Sequence, residues 1–314
     1  MTFLNNPEQD NTYYQLNISV GGGPARAIVI DTGSVGILVP LSKIENYSEL
    51  SPGESYPTPG YSSSNNQYVG KWVKTTVTLT GADNDSVTTS EIIVFGVTGV
   101  KEANGQINTD RADGVSFMGV GYQQEQYPTQ KFNPFINING LTAGQRQGYI
   151  IKSNEVQFGL TDDVTSKIPS VKLEPYPGGT SWQLPTANLR LQSTSDDYQP
   201  FSGETPFLVD TGIDYMILTA GETVPGDYTN TQTTPQFVPG VTVQLSVPTD
   251  KGIIYSTFAT VSGTTNNEPG KIDPAYIRWG KGPATHINTG RHYTYLYGYM
   301  YDPDNAVVGF PSLA

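Results

Sequence analysis

The chain contains no cysteine and only two histidines, and both scarcities exclude kinds of site. Without cysteine there is no disulfide, no thiolate metal ligand and no cysteine nucleophile. The only histidines are His286 and His292, which are too few for most multi-histidine zinc sites and leave little choice for a serine–histidine–aspartate triad. We therefore expect structural or surface roles for both histidines, and we expect no metal and no cofactor.

Long apolar runs and basic residues are also scarce. No window approaches the roughly 20 apolar residues of a membrane-spanning helix, and the first residues show no signal-peptide pattern, as expected of a mature or trimmed form. There are 17 basic against 29 acidic side chains, a net charge of −12. This charge repels nucleic-acid phosphates and anionic membrane surfaces, so we expect neither as a partner. An acidic surface suits acidic surroundings, and it equally serves solubility.

What the chain does have is Gly, Pro, Ser, Thr, Asn and Tyr in abundance, with 15% charged residues. This balance favours many short strands joined by turns, so we predict a mostly β fold. A length of 314 residues exceeds the usual size of one compact core. We predict two lobes, 1–160 and 161–314, with the boundary in a polar stretch rich in glycine and proline.

An apolar strand that ends in Asp-Thr-Gly occurs twice, once in AIVIDTGSVGILV and again in FLVDTGIDYMILT. The two aspartates, Asp31 and Asp210, are 179 residues apart, about the size of one lobe, as expected for a duplicated lobe. Two carboxylates facing each other cannot comfortably both ionise, so they share one proton and can act as general base and general acid. Asp31 and Asp210 are therefore the candidate catalytic residues.

The residues after each aspartate have supporting roles in this prediction. The glycines let the backbone approach the carboxylate and donate N–H bonds to it. The threonines can bond across the two lobes, and the serine can donate to the outer oxygen of Asp31. This predicted support consists of Thr32, Gly33, Ser34, Thr211 and Gly212.

Several further segments, in order along the chain, carry a family resemblance. They are YYQLNISVGGGP, AIVIDTGSVGILVP, IIVFGV, DGVSFMGVGY, SWQLPTANLRLQ and YGYMYDPDNAVVGFP. With them the chain resembles the pepsin-like aspartic proteases over nearly its whole length, in particular secreted fungal or microbial members. The resemblance implies a bilobal fold with the active-site cleft between the lobes. It also implies a monomeric, secreted endopeptidase that hydrolyses polypeptide substrates at acidic pH, with water activated by Asp31 and Asp210. The sequons at Asn17, Asn46 and Asn84 are compatible with a secreted glycoprotein.

The same resemblance implies a hairpin flap that closes over the cleft and carries a tyrosine near its tip. Tyr61 and Tyr68 bracket a polar turn, and either one fits; we prefer Tyr61, which follows Pro59-Gly60. Endopeptidases of this family accept apolar residues on both sides of the scissile bond. Phe95, Phe117 and Ile213 are therefore expected to line the cleft, with ordinary core packing as the alternative for each.

Three positions depart from the family pattern. Ile213 stands where a hydroxyl is usual, so we expect the outer oxygen of Asp210 to lose a hydrogen bond and the pKa at which the pair first ionises to rise. Leu38 replaces a tryptophan that usually partners the flap tyrosine, and an apolar-apolar-glycine element of the second lobe is represented only by Asn288-Thr289-Gly290.

Two alternatives remain open, and Ile213 and Leu38 favour the first of them. One is a catalytically silent protein of the same fold that binds a peptide, a polysaccharide or another enzyme in its cleft. The other is a glycosidase, which also uses a carboxylate pair, but with the carboxylates about 5–9.5 Å apart.

Overall fold

The computed structural model describes residues 1–6, 12–61, 66–102, 104–177, 179, 181–192, 199–220, 229, 235–260, 272–281 and 285–313. Across these ranges the chain is mostly β, as the composition predicts, and its helices are short, with at most six residues each. The α-helical turns are Thr129–Phe132 and Asp162–Thr165, and the 3-10 turns are Leu41–Lys43, Asp110–Gly114, Pro134–Ile136 and Gly290–Tyr295. Within the described ranges no helix has the length and apolar character needed to cross a membrane.

Twenty-three strands occur in the described part of the chain. They are β1 (Gln15–Val20), β2 (Arg26–Asp31), β3 (Val35–Pro40), β4 (Ser48–Glu49), β5 (Gly60–Tyr61), β6 (Asn66–Thr75), β7 (Val77–Thr80), β8 (Ser86–Thr88), β9 (Ile92–Lys101), β10 (Ile107–Asn108), β11 (Phe117–Val120), β12 (Arg146–Ile151), β13 (Val156–Leu160), β14 (Ser170–Lys172), β15 (Thr186–Gln192), β16 (Gln199–Leu208), β17 (Met216–Ala220), β18 (Thr242–Thr249), β19 (Gly252–Ala259), β20 (Ile277–Lys281), β21 (His286–Asn288), β22 (Tyr299–Asp302) and β23 (Val307–Gly309).

The first half of the chain forms an 11-stranded sheet from β1 to β11. Alternation of buried and half-buried residues along β1 is typical of a strand with one face on the core. At the centre of the sheet, β11 lies between β2 and β3, parallel to the first and antiparallel to the second. This places Gly119 beside Asp31, the last residue of β2.

The second half forms a seven-stranded sheet in the order β19-β18-β15-β16-β21-β17-β20. Here β21 lies between β16 and β17, parallel to the first and antiparallel to the second. This is the same local arrangement as β11 between β2 and β3, so the predicted repeat of the Asp-Thr-Gly segments extends to the strands around them. One large sheet in each half is what a two-lobed fold requires.

A third sheet, ordered β13-β12-β22-β23-β14, joins strands that are far apart in sequence. Tyr149 of β12 is paired with Tyr301 of β22, and the ring of Tyr301 stacks on that of Tyr122 with 4.8 Å between centroids. Strands from both sides of residue 160 therefore share this sheet. The lobe limits 1–160 and 161–314 remain a prediction.

The three sequons differ in their surroundings. Asn84 is exposed, in a turn with φ of 61°. The side chain of Asn46 donates to the carbonyl of Gly21 at 2.7 Å, and Asn17 is half-buried in β1, between β2 and β7. Asn84 is the sequon whose surroundings best fit a glycan, and modification of all three remains a prediction.

Candidate active site

The two aspartates are presented by equivalent strand ends. Asp31 is the last residue of β2, and Asp210 follows β16 by two residues. The backbone next to each aspartate is also similar. Gly119 of β11 is paired with Asp31, and the N–H of Asp210 donates to the carbonyl of Gly290 at 3.3 Å. Both acidic side chains therefore emerge near the end of a strand, beside a glycine that lies in the parallel neighbour for Asp31 and two residues after it for Asp210.

Two glycines show how closely the carboxyl groups approach each other. A Cβ atom at Gly33 would lie 2.3 Å from Cγ of Asp210, and one at Gly212 would lie 2.6 Å from Cγ of Asp31. Each carboxyl group is thus packed against the backbone that follows the other aspartate. Only glycine leaves room for this approach.

The backbone and side-chain donors around the two carboxyl groups have the same pattern. The N–H of Gly33 donates to Oδ1 of Asp31 at 2.7 Å, and the N–H of Gly212 donates to Oδ1 of Asp210 at 2.9 Å. The hydroxyl of Ser34 donates to Oδ2 of Asp31 at 2.5 Å. The roles predicted for these three residues match the contacts that the structure shows.

The outer oxygen of Asp210 receives its side-chain donor from a different strand. Ile213 has no hydroxyl, but the amide of Asn288, at the end of β21, donates to Oδ2 of Asp210 at 2.6 Å. The prediction that this oxygen loses its hydrogen bond was wrong. Sequence reasoning singled out Asn288 only as part of a poorly formed element, because its contact with Asp210 depends on the parallel pairing of β21 with β16.

The threonines of the two motifs cross-link the segments. The N–H of Thr32 donates to the hydroxyl of Thr211, and the N–H of Thr211 donates to the hydroxyl of Thr32. Both side chains are fully buried. The bond predicted between the halves is present in both directions.

The environments of the two carboxyl groups differ. Asp210 is 8% exposed, whereas Asp31 is half-buried. Burial raises the pKa of Asp210 well above its ordinary value, and the negative charge of Asp31 adds to this effect, while the bond from Asn288 opposes it. The surroundings of Asp210 therefore favour its protonated form. The expectation that Ile213 raises the pKa at which the pair first ionises remains a prediction, although Asn288 supplies the bond whose loss was its premise.

A cleft of about 540 Å³ opens over the two aspartates. Phe117 and Ile213 line it, as predicted, and so do Tyr13, Tyr215 and Gly60. Phe95 does not line it, and the prediction for this residue is corrected. Its ring is 2% exposed and packs edge-on against Trp72, with 4.8 Å between centroids, because β9 is covered by neighbours on both faces.

The predicted flap corresponds to a hairpin of β5 and β6, with Gly60 paired to Gln67 and Tyr61 to Asn66. Residues 62–65, at the tip, and the side chain of Tyr61 lie outside the described part of the chain. Tyr68 is 3% exposed and packs against Phe117 with 5.9 Å between ring centroids. Tyr68 is therefore a buried residue at the base of the hairpin, and the assignment of Tyr61 to the flap remains a prediction.

Leu38, which replaces the usual tryptophan, is buried in the same apolar cluster as Tyr68 and Trp72. The indole of Trp72, in β6, donates to the carbonyl of Pro57 at 3.1 Å. A tryptophan of β6 is thus bonded to the segment that leads into this hairpin.

Sequence reasoning did not single out Tyr13 and Tyr215 as cleft residues. Burial raises the pKa of Tyr13 to about 12, and the guanidinium of Arg291 lies 4.8 Å from the centre of its ring. Tyr215 stacks on Tyr276 with 5.0 Å between centroids. Tyr215 follows the second Asp-Thr-Gly closely, and this position could have indicated a cleft residue. Nothing in the sequence distinguishes Tyr13 from the other tyrosines among the twenty in the chain.

Neither histidine is among the described residues that line the cleft, and structural or surface roles remain the prediction for both. His292 is 1% exposed, its ring nitrogen is 2.9 Å from the carbonyl of Asp214, and burial lowers its pKa. His286 is half-buried in β21.

Residues 5–269 match the model of the family described as PE-PGRS C-terminal aspartyl peptidase-like domain. No curated protein matches the chain. The matched region contains both Asp-Thr-Gly segments and ends before Asn288. It supports the aspartyl-peptidase part of the resemblance drawn from the sequence and does not point specifically to secreted pepsin-like enzymes of fungi or microbes. Since the match spans most of its length, the chain belongs to the PE-PGRS C-terminal aspartyl peptidase-like domain family.

Proposed function

We propose that this protein is an aspartic endopeptidase that hydrolyses peptide bonds with a water molecule activated by Asp31 and Asp210. The observation that carries the proposal is the packing of each carboxyl group against the glycine that follows the other, at the floor of an open cleft. Membership of an aspartyl peptidase-like family supports the same chemistry.

The two carboxyl groups have complementary tasks in this reaction. Asp210 holds the shared proton, because burial and the charge of Asp31 disfavour its ionised form. Asp31, with Gly33 and Ser34 donating to it, acts as general base and takes a proton from water while the water oxygen bonds to the peptide carbon. The proton of Asp210 passes to the carbonyl oxygen, which neutralises the developing oxyanion.

Collapse of the resulting diol completes the cycle. Asp31 returns its proton to the peptide nitrogen as the carbon–nitrogen bond breaks. One hydroxyl of the diol returns a proton to Asp210 as the new carboxyl group forms. The pair ends with one proton, as it began, so each turnover consumes one water and one peptide bond.

The lining of the cleft favours an extended polypeptide with apolar side chains near the scissile bond. Phe117 adds an aromatic side chain and Ile213 an aliphatic one to the lining of the cleft, and Tyr13 and Tyr215 add further aromatic surface. A pair that must hold one proton works below the pKa of Asp210 and above that of the first ionisation, so we propose activity at acidic pH. We also propose that the protein is a secreted, monomeric glycoprotein. The absence of cysteine neither supports nor opposes secretion.

The two alternatives fit the site less well. A binding protein of this fold has no evident use for a buried carboxyl group such as Asp210, whose desolvation costs stability. A glycosidase needs a gap of about 5–9.5 Å for sugar and water between its carboxylates. The contact of each carboxyl group with the opposite glycine leaves little space for such a gap.

The test is cleavage of a proteome-derived peptide library at pH 3 to 7, with fragments identified by mass spectrometry. We expect cleavage by the native protein, and a loss of more than about a thousandfold in Asp31→Asn and in Asp210→Asn, since each removes one member of the pair. Asp163→Asn is the matched control, because Asp163 is exposed and pairs only with Lys167 among the described residues. No cleavage by the native protein, or most of the activity in either variant, would contradict the proposal.

A further inference from the structure

The outer oxygens of the two aspartates accept hydrogen bonds from chemically different donors. Oδ2 of Asp31 receives a hydroxyl from Ser34, three residues later on the same segment. Ile213 occupies the equivalent position after Asp210 and has no hydrogen to donate. The amide of Asn288, brought in by β21, fills this place at 2.6 Å from Oδ2 of Asp210.

The orientation of this amide is fixed by the backbone. The N–H of Gly290 donates to Oδ1 of Asn288 at 2.9 Å, so the oxygen of the amide faces Gly290 and the NH₂ group faces Asp210. Asn288 is 9% exposed and its strand is paired on both sides. The side chain is therefore held in one direction at a buried position.

An amide NH₂ differs from a hydroxyl because it donates and cannot accept. The bond from Asn288 therefore favours an ionised Asp210 over a protonated one. Oδ1 of Asp210 accepts from the N–H of Gly212, so each oxygen of this carboxyl group has one fixed donor.

We propose that Asn288 is a positioning residue of the aspartate pair: its amide takes the place of the hydroxyl found at Asp31 and holds Oδ2 of Asp210 as a hydrogen-bond acceptor. The effect on catalysis rests on the proposed function, but the contact between Asn288 and Asp210 does not. Asn288 also lines the cleft, and its effect on the aspartate pair is exerted through its bond to Asp210.

Loss of the amide of Asn288 is expected to affect mainly the alkaline limb of the pH profile of kcat/KM. Of the described residues that line the cleft, the titratable ones are Tyr13, Asp31, Asp210 and Tyr215. Arg291 lies against the ring of Tyr13, and Asp214 acts electrostatically on the same phenol. Tyrosine phenols ionise far above acidic pH and arginine stays charged, so the two cleft aspartates dominate the changes at low pH. Removing the donor of Asn288 disfavours the ionised form of Asp210 and raises the upper pKa of the pair.

The decisive variants are Asn288→Leu, which has similar size and no donor, and the same change combined with Ile213→Thr. The threonine hydroxyl enters three residues after Asp210, where Ser34 stands relative to Asp31. We expect Asn288→Leu to move the alkaline limb of kcat/KM upward by about one pH unit, from a lost bond to a charged group, and to leave the acid limb less affected. Adding Ile213→Thr is expected to reverse at least half of this shift.

Asn137→Leu is the matched control. Its amide donates to the backbone carbonyls of Gln130 and Asn133, away from the cleft, so its loss affects stability without a titrating partner. We expect the alkaline limb of kcat/KM to be unchanged in Asn137→Leu. If Asn288→Leu does not fold, Asn288→Ser, whose hydroxyl is too short to reach Oδ2, is expected to give the same upward shift.

Titration of the ¹³C-labelled aspartate carboxyl groups by NMR tests the inference without activity. An upper pKa that rises in Asn288→Leu and returns with Ile213→Thr supports it. An unmoved or lowered upper pKa, or a fall in activity with an unmoved alkaline limb, overturns it. Failure of the native protein to cleave any peptide would defeat the proposed function, while the NMR titration would still decide the role of Asn288.

Discussion

Thr32 and Thr211 exchange hydrogen bonds in both directions across the two halves of the chain. The N–H of each donates to the hydroxyl of the other, at 3.1 and 3.0 Å. Each hydroxyl in turn donates, at 2.6 Å, to a carbonyl of the opposite segment, Val209 for Thr32 and Ile30 for Thr211. Four buried bonds thus fix the position of one aspartate segment against the other.

Replacement of either threonine by valine keeps the volume and removes the hydroxyl. We expect Thr32→Val or Thr211→Val to lower the free energy of unfolding by about 1–3 kcal/mol, since each leaves a buried N–H and a buried carbonyl without a partner. Urea unfolding measures the loss. The double variant should lose less than the sum of the two, because the residues form one network. Thr98→Val, which removes an exposed hydroxyl, is the control, and equal losses at all three positions would contradict this account.

The raised pKa of Asp210 also predicts a dependence of stability on pH. A carboxyl group whose pKa is higher in the folded state contributes stability that is complete below its unfolded pKa, about 3.9, and is lost as pH rises through its folded pKa. Asparagine does not ionise, so the Asp210→Asn variant does not lose this contribution to stability as pH rises. We expect the variant to gain stability relative to the native protein as pH rises from about 4 to 7. Denaturant titrations at several pH values measure the difference, and a gap that is constant with pH would refute the prediction.

Gly33 is the position where an added methyl group meets the opposite carboxyl group. Gly33→Ala places a Cβ atom 2.3 to 2.5 Å from the carboxyl atoms of Asp210, so the two aspartates must move apart. We expect the upper pKa of the pair to fall toward an ordinary carboxyl value, because each charge then affects the other less. Peptide cleavage should fall at least a hundredfold. Gly114→Ala is the control for folding, since a Cβ atom there meets nothing within 4 Å.

The two tyrosines of the hairpin should respond differently to substitution. Tyr68 is 3% exposed, so Tyr68→Ala is expected to lower the free energy of unfolding by about 3–5 kcal/mol, as for other buried aromatic residues. Tyr61→Ala is expected to reduce turnover without this loss, because a residue beside a hairpin tip contributes little to a core. Thermal unfolding and peptide cleavage of both variants separate the two effects. A stable Tyr68→Ala protein with greater loss of turnover would assign the flap role to Tyr68 instead.

The aspartate segments could be predicted from the sequence because their features are local. An apolar strand, an aspartate and a glycine are consecutive residues, and they occur twice. Asn288 could not be assigned in this way, because its contact with Asp210 arises from the parallel pairing of β21 with β16, about 80 residues away in the chain. Phe95 was misplaced for a related reason: β9 is buried on both faces, and its apolar run does not show which face adjoins the cleft.

The sheet that contains β12, β13, β14, β22 and β23 has a consequence for the order of folding. Tyr149 and Tyr301 are neighbours in this sheet, yet about 150 residues separate them along the chain. Contacts of such long range form slowly, because the entropy of closing the loop is lost before the strands gain anything from pairing. On a ribosome, β12 and β13 would be synthesised well before β22, which pairs with β12, and β23, which pairs with β22. We therefore expect the sheet to be completed after synthesis, with the apolar face of β12 the surface that most needs protection from aggregation until then.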